Sequence, residues 1–234
     1  MASAKQISKS TIIWHGDGRE KALQAHILSL PHLKNNPTAL LSEIDTWAAQ
    51  NNHCMMTIGP DRSRAISEAI GTTRPRIMAE LGGYIGYSAI LFGDKARKCG
   101  GARYVSFEGN AEYAKIARSL VEFSGLGEFV EIREGLCSES LGAFAAEEAV
   151  RCEEGALFDV LFVDHAEELY LSDLRTCERL RLVRGGSLVV ADNVGGKRAR
   201  DFVRSVEEGD TYETTRVPCI LPNGEEDVIL FIKM

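Results

Sequence analysis

Apolar positions along the chain follow two alternating rhythms. Short runs rich in β-branched and aromatic residues occupy Arg76–Leu81, Ala102–Phe107, Phe129–Arg133, Leu157–Val163 and Gly186–Ala191. Stretches of helical period lie between and after them, over 86–99, 110–124, 138–151 and 168–181. Strand–helix alternation of this kind predicts an α/β chain with a mostly parallel sheet covered on both faces. Upstream, 17–31 and 37–51 read as helices separated at Asn35-Asn36-Pro37, with Pro37 suited to a first helical turn. Gly59-Pro60-Asp61 opens a third helix that ends near Gly71. After a helix over 196–208, strands from Tyr212 to Cys219 and from Asp227 to Lys233 flank Asn223-Gly224, a hairpin turn signal. The C-terminal end is therefore predicted to be antiparallel.

Composition narrows the class. With 234 residues, 44% of them hydrophobic, the chain can bury one large core, so a single domain over 1–234 is expected. The formal net charge is −7. Lys95-Ala-Arg-Lys98 and Lys197-Arg-Ala-Arg200 are short enough to be solvated helix faces, which argues against a nucleic-acid partner. No run approaches the ~18 apolar residues of a membrane span, and MASAKQISKS has no apolar core of a signal peptide. A soluble, cytoplasmic protein without a membrane partner is the expectation. The six cysteines are scattered with no CxxC pair, which reads as thiols in a reducing compartment.

In a doubly wound sheet, ligands bind beyond the carboxyl ends of the strands, so the residues there carry the chemistry. The first strand runs into Glu80-Leu-Gly-Gly-Tyr-Ile-Gly86. Gly82 and Gly86 permit a sharp turn and a close ligand approach, and the helix that follows aims its first N–H groups at the ligand. Tyr84 replaces the middle glycine of a dinucleotide fingerprint, so a ligand with a carboxylate fits better than a diphosphate. Glu108, 22 residues after Gly86, stands where an acid accepts hydrogen bonds from a ribose. The fourth strand ends in Val163-Asp164-His165 and the fifth in Ala191-Asp192-Asn193. If these strands are neighbours, Asp164, Asp192 and Asn193 unite three hard oxygen donors suited to Mg²⁺ or another divalent cation.

These residues, in this order, resemble the catechol O-methyltransferase family. The resemblance runs from about Ile44 to the C-terminus, on Glu43-Ile-Asp-Thr-Trp47, Glu80-Leu-Gly-Gly-Tyr-Ile-Gly-Tyr-Ser88, Val163-Asp-His165 and Ala191-Asp-Asn-Val194. It implies a Rossmann-like methyltransferase fold with a seven-stranded sheet. It also implies a helical cap over about 1–60, S-adenosylmethionine and Mg²⁺ as cofactors, and a small phenolic substrate. By resemblance, Glu80, Gly82, Tyr84 and Ser88 line the methionine end of the cofactor, Glu108 holds the ribose, and Ser138 and His165 lie near the adenine. Met55 or Met56 adjoins the sulfonium, with Ile58 close. Asp164 serves cofactor and metal alike, beside the metal ligands Asp192 and Asn193. Glu226, with Glu225 as a substitute, matches the acid that contacts a substrate hydroxyl.

The chain departs from the family around the substrate. The family's lysine base is here Glu167, an aromatic gatekeeper is Ala166 and another is His53. The loop after Asp-Asn-Val is shortened to Gly195-Gly196-Lys197. Glu167 and Lys197 are the candidate bases. The expected activity is Mg²⁺-dependent methyl transfer to a hydroxyl of a catechol or related vicinal dihydroxy compound. The alternatives are a cofactor-binding homologue whose catalysis is lost or altered with the lysine, and a nicotinamide-dependent oxidoreductase, which the Tyr84 turn and the Asp/Asp/Asn set disfavour.

Overall fold

A computed structural model describes residues 16–151, 157–208, 210–220 and 226–234. The reading of the first ten residues, the Asn223-Gly224 turn and Glu225 lie outside the described residues. Three helices come first: α1 (Arg19–Leu28), α2 (Pro37–Gln50) and α3 (Pro60–Thr73). Strands β1 (Ile77–Leu81), β2 (Arg103–Glu108), β3 (Val130–Glu134), β4 (Val160–Val163) and β5 (Leu188–Ala191) then alternate with α4 (Tyr87–Lys98), α5 (Ala111–Phe123), α6 (Cys137–Arg151) and α7 (Tyr170–Arg179). Helix α8 (Arg200–Glu207) leads to β6 (Glu213–Ile220) and β7 (Glu226–Lys233). A short 3₁₀ turn, Glu167–Leu169, precedes α7.

The strands form one seven-stranded sheet in the order β3-β2-β1-β4-β5-β7-β6. β1 to β5 pair in parallel, whereas β7 runs antiparallel to β5 and β6 antiparallel to β7. The predicted class and the antiparallel end are both present. No helix among the described residues is long and apolar enough to cross a membrane.

Local chemistry accounts for the boundaries. Pro37 and Pro60 occupy first-turn positions that need no N–H. Asn36 Oδ1 caps α2 by accepting the Ala39 N–H at 3.1 Å, and Asn110 Oδ1 caps α5 by accepting those of Glu112 and Tyr113. The sheet divides the core by strand parity. Met78, Tyr104, Val160, Phe162 and Ile229 pack toward α1–α5, while Ala79, Leu81, Phe107, Leu161 and Ile232 pack toward α6–α8. Burial on both faces explains why the strands read as continuous apolar runs rather than alternating ones. Each fully buried large side chain here contributes roughly 1.5–3 kcal/mol.

Two strand switches set the site. β1 is flanked by β2 and β4, and the β4–β5 pairing ends at Val163↔Ala191. Asp164 and Asp192 are thus the next residues on adjoining strands, and the Asp192 N–H donates to the Val163 carbonyl at 3.0 Å. Gly82 turns the chain off β1 with φ of +95°, and an added Cβ there would lie 2.4 Å from the Asp164 carbonyl oxygen. Its lack of a side chain lets the β1 and β4 tips touch, a packing reason for a glycine that the sequence pattern ties to ligand approach.

Candidate active site at the carboxyl edge of the sheet

The β1–β2 register sets Glu80 beside Ser106 and Met78 beside Tyr104. Glu80 is fully buried, and the Tyr104 hydroxyl donates to its Oε2 at 2.8 Å. Its Oε1 and the buried Ser106 Oγ have no hydrogen-bond partner. Burial raises the Glu80 pKa to about 7, a rise that the nearby Ser106, Ser88 and Tyr104 hydroxyls partly offset. Gly83 lies over this pair, where a Cβ would come within 2.3 Å of Ser106 Oγ. Glu108, at the end of β2, accepts the Tyr84 and Asn110 backbone N–H groups, each at 2.7 Å. Burial raises its pKa against those bonds. A carboxylate offers about four lone pairs, so two fixed acceptor bonds orient Glu108 and leave capacity for a ligand.

The turn is tied to the N-terminal helices. Tyr84, with φ of +44°, donates its hydroxyl to Glu20 Oε1 at 2.7 Å. The neighbouring Arg19 is buried, pairs with Asp17 at 2.7 Å and donates to the Cys54 carbonyl at 2.9 Å. That last bond anchors the segment carrying Met55 and Ile58, both buried, and Met56, which is exposed. The Glu43–Trp47 motif staples helices together: Glu43 meets His26 at 2.7 Å, Asp45 accepts from the Tyr87 hydroxyl at 3.0 Å, and Trp47 packs against His53. Ser88 is buried in the first turn of α4, and Ser138 is exposed in the first turn of α6.

Beyond β4 and β5, Asp164 and Asp192 follow paired strand ends and Asn193 comes next in the chain, with partners that sequence reading missed. Asp192 is almost fully buried, and its Oδ2 accepts from Arg62 Nη1 of α3 at 2.5 Å. Asp192 Oδ1 and Arg62 Nε are buried without partners. Burial lifts the Asp192 pKa to about 6 despite the Arg62 charge. Asp164 keeps a partly exposed edge. Its surroundings still raise its pKa well above the carboxylate range, burial first and Asp192 repulsion second. Asn193, at φ of +55°, donates Nδ2 to Asp227 Oδ2 at 2.8 Å. The Tyr170 hydroxyl donates to the Asp192 carbonyl at 3.1 Å. His165 is fixed by an Nε2–Asp173 contact of 2.8 Å and packs its ring against Tyr170, leaving Nδ1 buried and unpartnered. Cys137 lies close to the same pair, with its Sγ, a His165 nitrogen and an Asp173 oxygen within 4.8 Å of one another.

Arg62 and Asp227 left signals in the sequence. Arg62 shares the buried stripe of α3 with Ile66 and Ile70, a charge on an apolar face at i, i+4, i+8. Asp227 shares its strand face with Ile229, whereas the predicted Glu226 is exposed.

The substrate-side candidates are more dispersed. Glu167 pairs with Arg198 at 2.9 Å and stands close enough to Asp164 for their charges to repel. Glu226 lines a cavity of about 730 Å³ with Asp61, Arg64, Gly195, Cys219 and Asp227. Lys197 is exposed on a separate groove of about 360 Å³, beside Arg200, Glu207 and Arg216. None of Asp164, Asp192 and Asn193 lines that groove or the cavity beside Glu226.

Comparison with known proteins places this geometry among relatives. The family described as O-methyltransferase matches residues 33–209. Catechol O-methyltransferase of Bos taurus is 27% identical over 198 residues, 85% of this chain and 70% of the relative. That of Mus musculus is 29% identical over 201 residues, 86% of this chain and 72% of the relative. An O-methyltransferase structure from Bacillus cereus in complex with SAH superposes with a TM-score of 0.70 at 23% identity, covering 83% of this chain and 90% of that one.

Two measurements test the site's electrostatics. Arg62→Met leaves Asp192 buried and unpaired, and such a loss costs about 3–5 kcal/mol. Urea unfolding should show that loss and its recovery in Arg62→Met/Asp192→Leu; equal stability of Arg62→Met and wild type would exclude a buried ion pair. Glu80 binds its proton more tightly folded than unfolded, so its contribution to stability falls as pH rises from about 4.5 to about 7. Glu80→Gln should therefore gain on the wild type, without ligand, by about 3 kcal/mol between pH 4.5 and 8. A stability difference constant across that range would show that burial does not shift Glu80.

Proposed function

The chain belongs to the O-methyltransferase family, and on that premise we propose that it moves a methyl group from S-adenosylmethionine to a hydroxyl of a catechol or related vicinal dihydroxy phenolic, assisted by Mg²⁺. The observation that supports the reading is the pairing of the β4 and β5 ends, which puts Asp164 and the Asp192-Asn193 pair on adjoining strand tips, with Glu80 close enough to Asp164 for their charges to repel.

Both groups fit the residues present. Asp192 Oδ1 is buried without a partner, and Asp164 and Asp192 repel each other, so a cation relieves a strain already in the chain. Carboxylate and amide oxygens suit Mg²⁺ better than a soft metal. Glu80 Oε1 and Ser106 Oγ are likewise unsatisfied, which suits the ammonium of an amino-acid ligand. In this reading Glu80, Gly82, Tyr84 and Ser88 take the methionine end of the cofactor, and Glu108 takes its ribose. His165, its ring fixed by Asp173, and Ser138 flank the adenine, and Met55 and Ile58 border the sulfonium. The relatives named for catechol O-methylation support the substrate class.

Methyl transfer to oxygen is an in-line displacement that needs an aligned, anionic nucleophile. A divalent cation held by Asp164, Asp192 and Asn193 would lower the pKa of a hydroxyl oxygen it binds. Glu226 contacts the substrate from the cavity beside Gly195. The carbon–sulfur bond breaks as the carbon–oxygen bond forms, and the hydroxyl proton passes to the Glu167 carboxylate, which its Arg198 partner orients.

Chelation should abolish turnover on a panel of catechols, and Mg²⁺ should restore it. Asp164→Ala and Asp192→Ala should remove both turnover and metal dependence; full activity of either variant in chelator would end the metal reading. Glu167→Gln should flatten the acidic limb of kcat/KM against pH. An unaltered profile would exclude Glu167 as proton acceptor.

A further inference from the structure

A metal ligand must present a lone pair, and the asparagine side chain has two unlike ends. Oδ1 can ligate a cation, whereas the NH₂ group cannot. Which end Asn193 offers depends on what holds the other. Its Nδ2 donates to Asp227 Oδ2 at 2.8 Å, a bond that spans 34 positions of sequence, from the loop after β5 to the start of β7. Asp227 is 8% exposed, and its second oxygen is equally committed. Oδ1 accepts the backbone N–H of Gly195 at 2.9 Å and that of Val228 at 2.8 Å. Three donors converge on this carboxylate, so an amide turned with its oxygen toward Asp227 would set acceptor against acceptor.

We propose that Asp227 is a positioning residue: it fixes the Asn193 amide so that Oδ1 is the end left for a divalent cation, and it pins the Gly195 backbone of the same loop. The inference rests on the metal reading of Asp164, Asp192 and Asn193. In this role Asp227 acts through its hydrogen bonds, Oδ2 accepting from Asn193 and Oδ1 from the Gly195 and Val228 N–H groups, and not as a ligand. It acts from the second layer, where substitutions behind a metal ligand typically weaken metal binding 10–100-fold. The strand pairing keeps it in place: β7 is hydrogen-bonded to β5, with Ala191 opposite Leu230, so the carboxylate and the loop it serves belong to one antiparallel pair. Glu226, one residue earlier, is exposed and cannot substitute for it.

The test is Mn²⁺ binding to the full chain, followed by the electron spin resonance of the free ion, with SAH binding measured by calorimetry in chelator. Asp227→Ala should weaken Mn²⁺ binding 10–100-fold and leave SAH binding within about twofold, with Asp227→Asn intermediate because its amide can still accept from Asn193 in one orientation. In an Asn193→Ala background, Asp227→Asn should cause no further loss, since the amide it positions is gone. Asp227→Asn binding Mn²⁺ as tightly as wild type, or the two losses simply adding, would overturn the inference while leaving the metal reading intact. Failure of the wild type to bind Mn²⁺ at all would overturn both.

Discussion

Carboxylates crowd the carboxyl edge of this sheet at a cost that burial makes large. Asp164 and Asp192 stand one residue beyond paired strand ends, Asp227 reaches the same loop from β7, and Glu167 repels Asp164 from the 3₁₀ turn. Like charges within a low-dielectric region raise one another's pKa, and Asp192 is held near 6 even with the Arg62 guanidinium against it. A fold selected for stability alone would put apolar groups here, because a buried ion pair rarely outperforms a well-packed hydrophobic substitute. The arrangement makes sense when positive charge is delivered from outside. Arg62 supplies the counterion that Asp192 has within the chain.

The same logic extends one strand over. Glu80 is buried at the centre of the sheet's edge, and the hydroxyls of Ser88, Tyr104 and Ser106 soften but do not cancel the cost of its charge. The Tyr84 turn closes above it through Glu20, so the cap is bonded to the loop that approaches the cofactor in the proposed reading. Cap and pocket are coupled through particular bonds: Glu20 to Tyr84, and Arg19 to the carbonyl that precedes Met55.

Much of this was legible in sequence because it is local. The strands and helices follow from apolar period and from caps such as Asn36 and Asn110, and the Asp164–Asp192 meeting follows from strand ends in neighbouring order. The partners were harder to see because they are distant. Arg62 lies 130 positions from Asp192, and no short motif joins them. Its signal was a charge at i in a stripe completed by Ile66 and Ile70. Asp227 was hidden beside a more obvious acid, and only strand parity separates the two: it faces inward with Ile229 while Glu226 faces out. Lys197, close in sequence to Asp192 and Asn193, lines a groove with Arg200, Glu207 and Arg216.

The unsatisfied atoms sharpen the case that function, not folding, shaped this edge. Among the described residues, the buried side-chain atoms without a partner are Arg62 Nε, Glu80 Oε1, Ser106 Oγ, His165 Nδ1 and Asp192 Oδ1. Native proteins satisfy most such groups, and chance exceptions would scatter through the core. Here four of the five sit within the last three residues of β1 and β2 or just past the ends of β4 and β5, and Arg62 faces the fourth of them. The set is also chemically mixed, with carboxylate oxygens over β1 and β5, a hydroxyl over β2 and a ring nitrogen after β4. A single inorganic ion could satisfy only the Asp192 end. An amino-acid–nucleoside ligand crossing β4, β1 and β2 would meet these groups along its length.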